Sequence, residues 1–314
     1  MDRRQRILDL IEPHGRRGIE IGPLTRPIVL PSDGEILYAD HLPTEGLRAK
    51  YANDPNLGPA GLDGLAAIDL VLDGRPMAEV LGARDPVDYI VASHVVEHVA
   101  DPIGWLSNCA DALKDGGSLF LAVPDRRFTF DHLRGASTTG DLVALNLAKP
   151  PRPTPEQVFE HIARAVWFEP GEVIAAWEGD PISLRHMHDD ALPAALAHAR
   201  LVSATDVYLD VHCTTYTPAS LLDVFREIIA LDLIPFEVAT IVPTLPYEVE
   251  FFVLLRKRAR TAAAVRAAAT PSVDRLMHGE LPRPATWMPW RLRAARAIRR
   301  LRTRSLRNGL AKHR

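Results

Sequence analysis

Residues 87–125, VDYIVASHVVEHVADPIGWLSNCADALKDGGSLFLAVPD, read as a buried strand, a polar loop, a helix, a tight turn and a second buried strand. The first and last segments are nearly continuous in apolar residues rather than alternating. That pattern predicts parallel strands covered on both faces. The Asp115-Gly116-Gly117 turn supplies glycines that admit positive φ just before the second of these strands. Working outward, apolar strands are expected at 17–22, at 36–40 and at 66–72, the last closed by Asp73-Gly74. Helical stretches at 44–52, 76–81 and 102–113 fall between strands. Alternation of this kind predicts a doubly wound α/β sheet.

From about 126 to 213 the pattern changes. Proline clusters (KPPRPTPEQ, 149–157), Trp167, Trp177 and helical segments replace the strands. This predicts a helical insertion above the carboxyl ends of the strands, where open α/β sheets bind ligands. Thr217-Pro218 then starts a helix running to Ile229, with threonine as N-cap and proline at the first position. Strands at 236–242 and 248–255 follow, joined by VPTLPYE. That connector is too short for a helical crossover, so the two strands should pair antiparallel.

With 314 residues the chain is long enough for a substantial core, and 47% hydrophobic with 25% charged residues is ordinary for a soluble globular protein. Cys109 and Cys213 give no disulfide framework and no CxxC, which fits a reducing compartment. The N-terminus has no apolar h-region, and no run of eighteen apolar residues exists, so the expected location is the cytoplasm. The net charge of −3 hides a division: residues 256–314 carry 17 Lys/Arg and only the acids Asp274 and Glu280, a balance of +15 against −18 for the rest. Within that tail, Trp290, Ala294, Ile298 and Leu301 recur at helical spacing among arginines. Such a basic amphipathic helix can lie on an anionic membrane surface, dock on the acidic body or a partner, or remain unstructured. A body of −18 repels a phosphate backbone, so nucleic acid is not an expected partner.

Taken with GIEIGP at 18–23, the 87–125 stretch resembles class I S-adenosylmethionine-dependent methyltransferases, most closely bacterial methyltransferase-domain proteins of the polysaccharide-assembly type. The resemblance covers about 17–125 well and 214–256 more loosely. It implies a mostly parallel seven-stranded Rossmann-like sheet with an antiparallel terminal strand and a helical insertion. The expected organisation is a methyltransferase domain over 1–258, with a cap at about 126–213, followed by a basic tail over 259–314. The implied cofactor is S-adenosylmethionine. The implied acceptor is a small molecule, sugar or lipid-linked glycan methylated at oxygen, with work done in the cytoplasm and possible peripheral contact with the inner membrane surface.

The resemblance also assigns residues. Glu20 and Gly22 match the first two positions of the E/D-x-G-x-G-x-G turn, while Leu24 and Arg26 replace the later glycines. Only thirteen residues separate Gly22 from Ile36, and Pro27, Pro31 and Gly34 interrupt them, so a full first crossover helix does not fit. A pyrophosphate-bearing dinucleotide needs that helix N-terminus, whereas S-adenosylmethionine has no phosphate. Asp40, at the end of the second strand, takes the position that accepts hydrogen bonds from the ribose hydroxyls, and Asp69 that of the acid contacting the adenine amino group. Ser93 and His94, at the tip of the fourth strand, fall where the methionine portion passes. If the acceptor is a hydroxyl, a general base helps. His94 and His98 are preferred, from a set that also holds Asp125, His132, His186, His188 and His212.

No metal is expected. The RHMHDD stretch at 185–190 has a His-x-His-x-Asp ligand spacing, yet it ends in Ala191 where a longer metallohydrolase signature needs histidine, and it lies in the insertion. Two rival readings stand beside the enzyme: a catalytically idle binding or scaffold protein of the same fold, and an NAD-dependent oxidoreductase. The broken glycine pattern disfavours the second.

Overall fold

The computed structural model describes residues 2–53 and 61–259. The basic tail beyond 259 therefore lies outside the described residues. Helix α1 (Arg3–Ile11) leads into β1 (Arg17–Ile21), β2 (Glu35–Asp40), α2 (Thr44–Lys50), β3 (Leu70–Val71), α3 (Met77–Leu81) and β4 (Val87–Ser93). A short 3-10 turn, Val96–His98, precedes α4 (Pro102–Ala112) and β5 (Leu113–Pro124). The insertion holds α5 (Thr139–Ala148), α6 (Pro155–Arg164), β6 (Val166–Trp167), α7 (Pro170–Glu178), β7 (Arg185–His186) and α8 (Ala191–Ala204). The chain returns through α9 (Pro218–Ala230), β8 (Phe236–Val242) and β9 (Glu250–Lys257).

The main sheet runs β3-β2-β1-β4-β5-β9-β8. Pairs from β3 to β5 are parallel, while β9 runs antiparallel to both β5 and β8. The expected doubly wound sheet with an antiparallel ending is thus observed. Its central strands are buried on both faces: Ile90 and Ala92 of β4 and Leu119, Leu121 and Val123 of β5 join one apolar cluster, while Tyr89, Val91, Phe120 and Ala122 join the other. This double burial is why the strands read as unbroken apolar runs. Gly18 permits part of it, because a Cβ there would stand 2.1 Å from the Tyr89 ring.

No helix forms between β1 and β2; the chain turns through Leu24, whose φ is +44°, and returns at Glu35. Ile28 and Val29 of this loop pack with Ile7, Leu8 and Ile11 of α1, so loop and helix together cover one sheet face. Three arginines strap α1 down: Arg3 to Glu250, Arg4 to Asp33 and Arg6 to Glu248. On the opposite face α9 buries Leu221, Leu222, Val224, Phe225, Ile228 and Ile229. Its start is the expected one, with Thr217 as N-cap in a reciprocal cap with Ser220 and Pro218 in the first turn.

The third strand is shorter than the seven residues expected. Ala66 donates to Leu24 O and Asp69 to Tyr38 O, so the chain at 66–69 follows the β1–β2 loop before joining the sheet only at Leu70–Val71. The insertion is helical as expected, with a two-stranded β6–β7 ribbon whose two-residue strands are too short to show in the sequence. Among the described residues no helix is long and apolar enough to cross a membrane.

Candidate active site

The parallel register brings three of the expected residues to one level. Ile21 is paired with Ala39 on one side and with Ala92 on the other. The next residues along, Gly22, Asp40 and Ser93, therefore stand at the carboxyl ends of three adjacent strands, about 4.8 Å apart from strand to strand. The ladder continues to this level, since Gly22 N donates to Ala39 O at 2.9 Å. Gly22 has φ +69°, and a Cβ added there would meet only Val95, at 3.6 Å. The backbone conformation asks for glycine, and the space above it admits a close ligand.

Asp40 is buried, and its Oδ1 accepts from both the backbone N–H and Nδ1 of His41, at 2.7 and 2.5 Å. Both of these bonds fall on Oδ1. Glu20 serves the site indirectly. Its oxygens accept from Ile28 N at 2.7 Å and Val29 N at 2.9 Å, so it fixes the loop that borders the cleft. Burial pushes its carboxyl up to about 7, although those two amides favour the charged form.

Asp69 stands apart from this group. It adjoins Leu70, which pairs with Ala39, so it is level with Tyr38 and one pleat short of the tip. Its exposed carboxylate accepts from Tyr38 N at 2.9 Å, bridging an edge of the sheet. The structure thus does not bring Asp69, expected at the adenine, together with Gly22, Asp40 and Ser93. The reason is local: β3 starts late, and Asp69 serves as the bridge that starts it. Asp73, beyond the strand end, is exposed and paired with Arg75.

At the β4 tip Ser93 accepts from Arg3 at 2.7 Å, and Arg3 also holds Glu250. His94 has φ +55° and its Nε2 lies 2.8 Å from Glu250 Oε2, with Nδ1 3.3 Å from Glu97 Oε1. Burial opposes charge on His94, but Glu250 and Glu97 outweigh it and raise its pKa to about 9. Burial likewise opposes ionisation of Glu250, and His94 and Arg3 overcome it, holding Glu250 at about 2. His94 is thus a cation near neutrality. It suits an anionic group of a ligand better than it suits the general-base role expected for it.

Beside this tip, the 3-10 turn sets Glu97 and His98 against the returning end of the cap. His98 Nδ1 lies 2.8 Å from Asp210 Oδ1, and His212 Nδ1 lies 2.5 Å from Asp131 Oδ2. The two imidazoles meet edge to face, 4.7 Å between centroids. The backbone seals the seam: Cys213 N and Thr214 N both donate to Glu97 O. The pairing with His98 holds Asp210 down at about 2, and despite burial His98 itself is raised. An open groove of about 330 Å³ borders His98 and is lined also by Asp101, Trp105, Asn108, Pro151 and Tyr208.

The other base candidates are placed elsewhere. Asp125 is fully buried and takes the Arg127 guanidinium and the Thr244 hydroxyl, which makes it an anchor for the start of the cap. His132 donates through Nδ1 to Arg127 O at 2.7 Å. His186 and His188 are exposed, so the His-x-His-x-Asp stretch gathers no ligand set. Arg3, Asp131, Asp210 and Glu250 went unmarked in the sequence. Glu250 alone carried a signal, an acid at the head of an apolar strand.

A seven-stranded sheet in this order, with a glycine turn after β1 and an acid closing β2, defines an α/β nucleoside-binding enzyme fold of the methyltransferase type. A family model described as "Methyltransferase domain" matches residues 2–227, well over half of the chain. The chain belongs to that family, which implies S-adenosylmethionine as methyl donor. Over 50 residues it is 44% identical to a ubiquinone biosynthesis O-methyltransferase of Parvibaculum lavamentivorans, covering 16% of this chain and 20% of that protein. The chain thus matches about a fifth of the length of that curated relative. Solved structures similar to it include a SAM-dependent methyltransferase from Methanosarcina mazei, at 15% identity over 81% of this chain and 98% of the other, TM-score 0.39. Another, from Mesorhizobium loti, is 13% identical over 80% and 96%, TM-score 0.37.

Proposed function

We propose that this chain transfers the methyl group of S-adenosylmethionine to a hydroxyl oxygen of a small-molecule, sugar or lipid-linked glycan acceptor. The observation that supports this best is the common level of Gly22, Asp40 and Ser93 on three adjacent strands. The residues present fit the donor: Asp40 offers a buried carboxylate to a ribose diol, Gly22 a turn with room for a nucleoside, and Ser93 with His94 polar and cationic groups for the methionine end. When bound, the donor supplies an electrophilic methyl on a sulfonium. The protein's share is to orient the acceptor and exclude water, and orientation alone can account for about 7–11 kcal/mol of such a barrier.

Oxygen as the methylated atom is supported by the name of the partial relative, an O-methyltransferase. A glycan acceptor rests on the resemblance to polysaccharide-assembly proteins, and the groove beside His98 is a place for it. Contact with the cytoplasmic face of a membrane rests on the +15 balance of residues 256–314.

Calorimetry with S-adenosylhomocysteine tests the donor site directly. A Kd in the micromolar range is expected, and no heat at submillimolar ligand would favour an idle scaffold of the same fold. Flotation with anionic liposomes, with and without residues 259–314, tests the tail, and equal flotation ends that part of the reading.

A further inference from the structure

We propose that Glu97, His98 and His212 bind one divalent transition-metal ion at the seam between the β4 tip and the returning end of the cap. The three residues each present a ligand atom, and these atoms lie within 4.8 Å of one another. In a tetrahedral zinc shell with bonds of about 2.0–2.2 Å, neighbouring ligand atoms stand roughly 3.3 Å apart.

Glu97 supplies the independent observation. It is 1% exposed, and neither of its carboxylate oxygens has a hydrogen bond. His94 Nδ1 lies 3.3 Å from Oε1 as an ion-pair partner, which leaves Oε2 without one. A buried carboxylate is costly unless cations meet it, and of the two oxygens only Oε1 faces one, the His94 imidazole. The backbone contacts that seal the seam run to Glu97's carbonyl oxygen, so its side chain is not spent on closing the seam.

The surroundings are those of ligating histidines. Each imidazole has Nδ1 against a carboxylate: His98 against Asp210, His212 against Asp131. For His212 that hydrogen bond fixes tautomer and ring orientation and leaves Nε2 to a metal, while His98 and Asp210 form an ion-pair contact. Asp131 is itself steadied by Arg134 at 2.8 Å. His161 Nδ1 accepts from His212 N at 3.2 Å, which steadies the backbone that carries the second imidazole. The donor set is two imidazoles and one carboxylate. It selects zinc, iron(II), cobalt or manganese over magnesium or calcium, and it leaves coordination positions for water or an acceptor oxygen. Among the described residues no other group of three ligating side chains comes together in this way.

The test needs no methyl donor, so it succeeds or fails separately from the methyl-transfer reading. Full-length protein, stripped with a chelator, is titrated calorimetrically with Zn²⁺ alone and spectroscopically with Co²⁺. One ion per chain is expected, with Co²⁺ giving d–d absorption at the same stoichiometry. Glu97→Gln and His212→Ala should each weaken Zn²⁺ binding at least tenfold. Asp210→Asn, at a more exposed position that leaves the core intact, should weaken it roughly 10–100-fold through ligand orientation. The double variant His186→Ala/His188→Ala should bind as the parent does. The proposal is overturned if the parent binds no stoichiometric Zn²⁺ by 100-micromolar-order concentrations, or if the loss follows the His186/His188 variant instead. Unchanged affinity in folded Glu97→Gln or, should that variant misfold, in Asp210→Asn overturns it equally.

Discussion

At the tips of β1, β2 and β4 the backbone ladder does the positioning. Gly22, Asp40 and Ser93 are level because each is the residue following a paired neighbour, whatever their side chains do. At the seam with the cap the side chains do it. Asp131 and His212 lie 81 residues apart in sequence and meet through one 2.5 Å contact, and the ring of His212 then rests against His98 and Phe130. A site built on parallel strands inherits the rigidity of a sheet buried on both faces. One built across a seam depends on buried polar contacts that must all be satisfied at once. Changes at the seam should therefore act first on stability, and changes at the tips first on ligand affinity.

The largest expected effect breaks the seam. Asp131→Asn leaves the buried Arg134 guanidinium without its charged partner and weakens the hold on His212. Removing one member of a buried pair typically costs about 3–5 kcal/mol. The urea midpoint should fall accordingly, while any S-adenosylhomocysteine binding that survives at low temperature keeps its parental Kd. A midpoint within experimental error of the parent would mean that the seam is not a cooperative part of the fold.

Next comes Asp40→Ala at the tip. A hydrogen bond to a charged group contributes about 1.5–3 kcal/mol, which is roughly a ten- to hundredfold loss of affinity for S-adenosylhomocysteine. Stability should change much less, because both bonds that Asp40 is seen to accept come from its neighbour His41. Equal affinity in parent and variant would move the ribose away from β2.

A pH dependence tests the support beneath the tip. Glu20 has its carboxyl raised from an ordinary 4.5 to about 7 by burial. The folded state thus holds this proton more tightly than the unfolded chain. Glu20's contribution to stability is complete below about 4.5 and is lost as pH rises through about 7. Chemical denaturation at steps from pH 4.5 to 7.5 should show this decline, and Glu20→Gln should flatten it. If the parent's stability rises over the same window, the two amides of Ile28 and Val29 dominate over burial and Glu20 is an ordinary carboxylate.

The tips were legible in the sequence and the seam was not, for a physical reason. Unbroken apolar runs ending in Gly22, Asp40 and Ser93 declare parallel strands, and parallel strands have one register in which neighbouring ends align. The missing first crossover helix was legible too, because thirteen residues with three prolines cannot hold one. No local pattern says that Asp131 will face His212, or that Asp210 will face His98. Those pairings depend on how α6 and α8 pack through Val158, Ile162, Ala195 and Val202, and apolar periodicity gives a helix face but not its neighbour. Nor does any local pattern say that Glu97, in the turn after β4, is buried or that its carbonyl takes the returning Cys213 and Thr214 amides.

Asp69 marks the boundary between what the apolar pattern reveals and what it misplaces. The segment AAIDLVL looks like a strand from its first alanine, and an acid late in it looks like a ligand-facing tip. In the fold only Leu70–Val71 pair with β2, because Ala66 is bonded to Leu24 in the preceding loop. Asp69 accepts one N–H from Tyr38 at the exposed sheet edge. An asparagine oxygen can accept the same bond, so Asp69→Asn should alter S-adenosylhomocysteine affinity by less than about twofold and stability by less than about 0.5 kcal/mol, as surface substitutions usually do. A tenfold loss of affinity would instead bring the adenine down to the level of Tyr38. The donor would then lie across the β2–β3 edge and not across the strand ends, and the alignment of Gly22, Asp40 and Ser93 would lose its functional meaning.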